Sequence, residues 1–370
     1  MKLRTWTSRL GLAVAALIIV AACGTTGGGT ASCDAKAAKS AADCGGMDAL
    51  IAAAKKEGQL NVIALPPDWA NYGAIISGFS AKYGIKVNSA NPNGSSQEEV
   101  DAIKQLSGTS RAPDVVDVGM KVALANTSLF APYKVTTWND ILDSQKESTG
   151  VWFQDYGGFM GIGYDSTKVP EIKSVQDLLG SAFKSKVALA GDPTKSNQAL
   201  NGVILASVAN GGSVDDVSKG VDFFHQLKLK GNYVPIIGTA ATVKAGTTPV
   251  LFEWDYLSTS HGKDVSTWKI FVPPDATIGG YYAQAINKEA PHPAAARLWE
   301  EYLYSDEGQN LWLKGGARPV RQAAMEKSGK IDATAAAALP KITGTPLFPT
   351  QEQQTKAGDF VGANWSKAVS

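Results

Sequence analysis

Apolar positions recur along this chain with two periods. Residues 47–57 (MDALIAAAKKE) carry helical spacing and stop at Gly58, which predicts an amphipathic helix. Residues 59–65 (QLNVIAL) form an apolar run closed by Pro66-Pro67, the pattern of a buried strand. Residues 71–83 space Tyr72, Ile75, Ile76, Phe79 and Tyr83 as a helix that ends at Gly84. A second strand at 85–90, a helix at 97–106 and a third strand at 114–118 follow. Strands alternating with helices predict an α/β fold with a parallel sheet.

The pattern changes near Trp152. Residues 151–164 (VWFQDYGGFMGIGY) are aromatic and glycine-rich and read as extended chain, as do residues 277–287. Between them lies a second α/β set. It has a helix at 174–179 capped by Ser174 with Asp177 three positions on, a strand at 186–190, helices at 197–209 and 217–227, and strand-like runs at 249–254 and 268–272. A helix at 293–304 returns the chain, and the stretch after Arg318 is Ala-rich and helical in places. Two α/β regions joined by two extended crossings predict two lobes with a cleft between them. Ligands gather at the carboxyl ends of strands and at lobe interfaces.

The chain has 370 residues, 35 basic and 34 acidic, so no basic excess points to nucleic acid. Three His and three Cys argue against a zinc or iron–sulfur centre, and no metal or other cofactor is expected. Lys2, Arg4 and Arg9 precede an apolar run at 11–22, the form of a secretory signal and too short for a membrane-spanning helix. The run ends Val-Ala-Ala-Cys23-Gly and resembles a bacterial lipobox, which implies acylation of Cys23; an ordinary signal peptide is the alternative. Cleavage before Cys23 leaves 348 residues with a net charge of −2, followed by a Gly/Ser/Thr-rich tether. In an oxidising compartment Cys33 and Cys44 are expected to close a disulfide loop, with two free thiols as the alternative.

Several segments together carry a family resemblance. They are YDSTKV at 164–169, SVQDLL at 174–179, FKSKV at 183–187, Gly191-Asp192-Pro193, and above all APHPAAARLWEEYLYSDEGQ at 290–309. In order and spacing they resemble the extracellular solute-binding proteins of ABC importers, in the branch of polyamine, iron(III), thiamine and aminoethylphosphonate binders. The resemblance runs from about residue 47 to about 325. It implies a two-lobed, type II Venus-flytrap fold with two hinge crossings. The expected layout is a signal peptide at 1–22, a tether at 23–46, lobe 1 from 47–155 and 280–325, and lobe 2 from 156–279. A C-terminal helical segment at 326–370 is expected to pack on lobe 2. It further implies a non-enzymatic monomer, lipid-anchored on the outer face of the cell membrane or periplasmic, that delivers a small molecule to a membrane permease. The Pro-His292-Pro segment falls at a helix start in the family, so His292 is expected to be structural. A secreted hydrolase is the rival class, and the chain has no Gly-x-Ser-x-Gly elbow.

Candidate ligand-binding residues sit on loops after strands and on the crossings. They are Asp68, Trp69 and Tyr72; Ser95 and Ser96; Tyr156; Thr194, Ser196 and Asn197; Glu253, Trp254, Asp255 and Tyr256; and Tyr281 and Tyr282. Aromatic faces beside carboxylates suit an organic ammonium ion. Trp254-Asp255 resembles the Trp-Asn of polyamine binders. The Ser-rich helix starts near Ser95 and Ser196 suit an anionic group, so an aminophosphonate with its ammonium near Asp255 also fits. Iron(III) would want paired tyrosinates, and Tyr281-Tyr282 is such a pair in sequence. Consecutive strand residues, however, point to opposite faces.

Overall fold

The computed structural model describes residues 33–370. Its strands are Gln59–Ile63 (β1), Lys86–Ala90 (β2), Val115–Gly119 (β3), Phe130–Ala131 (β4), Phe153–Asp165 (β5), Val187–Leu189 (β6), Val250–Trp254 (β7), Trp268–Phe271 (β8), Gly279–Asn287 (β9) and Arg318–Pro319 (β10). The helices are Met47–Glu57 (α1), Tyr72–Tyr83 (α2), Ser96–Gln105 (α3), Met120–Ala125 (α4), Asn197–Ala209 (α5), Ser218–Leu229 (α6) and Ala240–Lys244 (α7). They continue with Asp255–His261 (α8), Pro293–Leu303 (α9), Asp306–Lys314 (α10), Gln322–Ser328 (α11), Ala333–Ala337 (α12) and Gln351–Val369 (α13).

The fold is α/β and two-lobed, but its sheet is mixed rather than parallel. β1 pairs with β2, and β6 with β7, in parallel. The central strands lie in the order β3-β9-β5-β7-β6 and pair antiparallel from β3 to β7. This follows from the two crossings. β5 enters as a partner of β9 through residues 153–159 and leaves as a partner of β7 and β8 through residues 160–165. One strand thus serves both lobes, and β9 returns beside it in the opposite sense, pairing with β3. The crossing strand is thin where it passes: a Cβ at Gly158 would collide with the Asp255 carboxylate and the Tyr256 ring.

Local signals act where the sequence puts them. Ser95 and Glu98 form a reciprocal capping box at the start of α3. Ser174 and Asp177 do the same, although the element they start is a 3-10 turn over Val175–Leu179 rather than an α-helix. His292 caps α9 and is pinned by Asp114, whose Oδ2 lies 2.8 Å from His292 Nδ1.

The lipidation candidate Cys23 and the signal at 1–22 lie outside the described residues. Of the expected tether, residues 33–46 are packed rather than loose. Ala35, Ala38, Ala41 and Cys44 are buried, Cys33 and Cys44 are joined as a disulfide, and Arg297 donates to the carbonyls of Ala38 and Lys36. The C-terminal segment does not rest on one lobe alone. Lys330 and Asp332 bond to Asn310 of α10, Leu347 pairs with Ile278 beside the β9 crossing, and α13 packs its Trp365 on Phe224 of α6. α13 also reaches α4 through Lys121–Asp359 at 3.6 Å.

Candidate functional site

A cavity of about 590 Å³ opens where the carboxyl ends of β1, β3 and β7 and the starts of α3 and α5 converge. That volume suits a small organic ligand. Of the expected residues, Asp68, Trp69, Ser95, Ser96, Ser196, Asn197, Glu253 and Tyr282 line it. Thr194 lines a small crevice beside it, next to Lys121 and Leu200. The two sides come close there: a Cβ at Gly119, the last residue of β3, would collide with the side chain of Asn197.

The other six expected residues line neither the cavity nor the crevice. Trp254 and Tyr256 are buried behind it, stacked with ring centres 6.4 Å apart. Tyr72 and Tyr156 are buried beneath it, and both donate hydrogen bonds to Asp117. Tyr281 turns to the opposite strand face, toward Phe348, so the tyrosine pair is split as strand alternation requires. Asp255 is consumed internally. Its Oδ2 accepts from Arg318 Nη1 at 2.7 Å and its Oδ1 from the Phe159 amide at 3.0 Å.

The sequence reading missed Asp117, Glu99, Gln198 and His261. Asp117 lies in the apolar strand VVDVG, two residues before its end, and its Oδ2 accepts from Tyr72 (2.8 Å) and Tyr156 (2.9 Å). A lone acid inside an apolar strand, at the carboxyl end where ligands gather, was the available signal. Glu99 accepts the Asp117 amide through Oε2 at 3.0 Å. Gln198 holds the end of β7 by accepting the Trp254 amide at 2.9 Å. His261 Nε2 lies 3.0 Å from Glu253 Oε2.

The lining is acidic. Asp68, Glu98, Glu99, Asp101, Asp117, Asp192 and Glu253 contribute to it, against Lys195 and His261. Some of these acids are already engaged: Glu98 caps α3, and Asp192 accepts from Thr194. Three buried acceptors on the wall have no partner: Asp117 Oδ1, Asn197 Oδ1 and Glu253 Oε1. An unpaired buried acceptor is costly and calls for a donor. Burial pushes the Asp117 carboxyl up to about 7, against the two tyrosine hydroxyls, which favour its charged form. Burial, with the Asp117 charge adding to it, also raises Glu99 well above the usual range. Burial opposes protonation of His261, but the Glu253 hydrogen bond and charge hold its imidazole above the ordinary value. The aromatic wall is ordered: Trp69 meets Tyr282 edge-on at 5.7 Å, and its Nε1 donates to Tyr156 at 2.6 Å.

Among the described residues no cluster of His, Cys, Asp and Glu is arranged to hold a metal ion, and no helix is long and apolar enough to cross a membrane. No curated protein matches the sequence. Solved structures match the fold. Iron-bound HitA from Pseudomonas aeruginosa superimposes with a TM-score of 0.62 at 19% identity, covering 84% of this chain and 99% of that one. AfuA from Actinobacillus pleuropneumoniae, with fructose-6-phosphate bound, gives 0.64 at 17% identity, covering 84% and 98%. A putative spermidine/putrescine ABC transporter protein from Listeria monocytogenes gives 0.63 at 11% identity, covering 84% and 99%. The ligands in these names differ, so the likeness speaks for the fold alone. The profile of the family described as bacterial extracellular solute-binding protein matches residues 110–338, which hold both crossings and much of the cavity wall. The chain belongs to that family, the extracellular solute-binding proteins of ABC transporters.

Proposed function

We propose that the protein captures an organic amine, a polyamine or an aminophosphonate, between its lobes and hands it to an ABC permease. The observation that carries this reading is the set of unpartnered buried acceptors on an acidic wall: Asp117 Oδ1, Glu253 Oε1 and Asn197 Oδ1. An ammonium group supplies both the missing N–H donors and the compensating charge. Trp69 and Tyr282 offer aromatic surface for an alkyl chain or a cation. Lys195 and Ser196 at the start of α5 suit the acidic end of an aminophosphonate. The ferric reading has less support, because Tyr282 lines the cavity and Tyr281 does not.

In this reading the ligand enters an open cleft and favours the closed form by bridging acceptors on the two sides. The protein acts as a monomer, without catalysis, held to the outer membrane face by a lipid on Cys23. Calorimetric titration with putrescine, spermidine, 2-aminoethylphosphonate, fructose 6-phosphate and ferric citrate tests the ligand class. Saturable binding of an amine supports it, and binding of the sugar phosphate or ferric ion without any amine overturns it. Replacement of Cys23 by Ser is expected to release the protein from the membrane fraction; retention there would refute the anchor.

A further inference from the structure

We propose that Tyr72 and Tyr156 are positioning residues that favour the charged form of the Asp117 carboxylate and leave its Oδ1 open for a hydrogen-bond donor. The consequence, an ammonium group preferred over a hydroxyl of similar size, rests on the amine reading above; the positioning itself does not.

The Trp69 indole can only donate, and its Nε1 donates to the Tyr156 hydroxyl at 2.6 Å. The one Tyr156 proton is therefore free to go to Asp117 Oδ2, 2.9 Å away. Gln284 Nε2 donates to the Tyr72 hydroxyl at 3.0 Å and to Asp155 Oδ2 at 2.9 Å. The Tyr72 proton is then directed to the same Asp117 Oδ2, at 2.8 Å. Two O–H donors converge on one carboxylate oxygen and occupy its acceptor capacity, so that oxygen cannot carry a proton. Oδ1 is buried, unpartnered, and belongs to a residue on the cavity wall.

The surroundings of Asp117 decide what Oδ1 accepts. The titratable groups whose charge couples to Asp117 are Glu99 from α3, Tyr72 from α2, Asp155 and Tyr156 from β5, Tyr256 from α8, Tyr282 from β9, and Glu300 and Tyr304 from α9 and its end. None of these is a cation. A ligand hydroxyl at Oδ1 supplies a donor but leaves the buried charge uncompensated. An ammonium supplies both, and a buried charge without a counter-charge is the costlier state.

The test is the ¹³C titration of the Asp117 carboxyl in ligand-free protein, its signal assigned by loss in Asp117→Asn. Tyr72→Phe and Tyr156→Phe remove one hydroxyl each and keep the ring. A hydrogen bond to a charged group is strong enough to move a midpoint by about one pH unit or more. Each variant is therefore expected to titrate that much higher than the native protein, and the double variant higher still. Should a tyrosine variant fail to fold, Trp69→Phe removes the donor to Tyr156 and is expected to raise the midpoint by less. If an amine binds the native protein, its Kd at pH 7 is expected to weaken about tenfold in each tyrosine variant and to recover as pH rises, which a merely structural defect would not do. Unmoved midpoints in the variants overturn the positioning role whether or not an amine binds. Raised midpoints without amine binding support that role and overturn the amine reading instead.

Discussion

Asp117, inside β3, and Asp255, which follows β7 directly, are both buried aspartates near the carboxyl ends of strands, and they have opposite fates. Asp255 carries its own counter-ion: Arg318 sits 2.7 Å away, and the Phe159 amide takes the other oxygen. Burial still pushes its carboxyl up, and Arg318 pulls against that. Asp117 has only neutral tyrosine hydroxyls, and its other oxygen is left over. A buried carboxylate that carries its own cation is part of the framework. In the proposed reading, one held by neutral donors, in a residue of the cavity wall and with an oxygen unpartnered, receives its cation from the ligand.

The comparison breaks most visibly at Asp255. Replacement by Asn leaves the Arg318 charge buried without a counter-charge, which is expected to cost about 3–5 kcal/mol of unfolding free energy while amine affinity changes little. Chemical denaturation followed by calorimetry checks both halves. Equal losses at Asp255 and Asp117 in affinity would erase the distinction. Asp117→Asn should do the reverse: amine affinity falls roughly 10–100-fold, the scale of a charged hydrogen bond, while stability holds or rises. Glu253→Gln removes a charge that His261 already shares, so its loss of affinity should be smaller, about tenfold, and the His261 midpoint, read by NMR, should fall.

The pH dependence sharpens the same contrast. Asp117 titrates at about 7 when folded and near 4 when unfolded, so the native state holds an extra proton between those values. Its contribution to stability is whole below about pH 4 and is lost as pH rises through about 7. Ligand-free protein is therefore expected to melt lower at pH 8 than at pH 5.5. Amine binding needs the ionised carboxylate, so affinity should weaken up to about tenfold per unit below pH 7. Differential scanning calorimetry with and without spermidine at the two pH values reads both effects.

The alternation of strands and helices, the two extended crossings and most helix boundaries were legible, because period and capping residues are local. The antiparallel sense of the central strands was not, since it depends on β5 passing from one lobe to the other. The rule that ligands gather after strands led to Asp68 and to the helix starts Ser96 and Asn197, and all three line the cavity. Of the aromatic-acid cluster at 253–256, only Glu253 lines the cavity. Trp254, Asp255 and Tyr256 look like a binding motif, yet Arg318, sixty-three residues away, neutralises the aspartate. Asp117 was overlooked because its neighbours are all apolar, and only the tertiary fold brings Tyr72 and Tyr156 beneath it.

The most direct measurement is a calorimetric titration of the native protein with spermidine at pH 6 and pH 8. The account predicts saturable binding, at least several-fold tighter at pH 8, and its loss in Asp117→Asn. Binding with the same affinity at both pH values, or undiminished in Asp117→Asn, would contradict it.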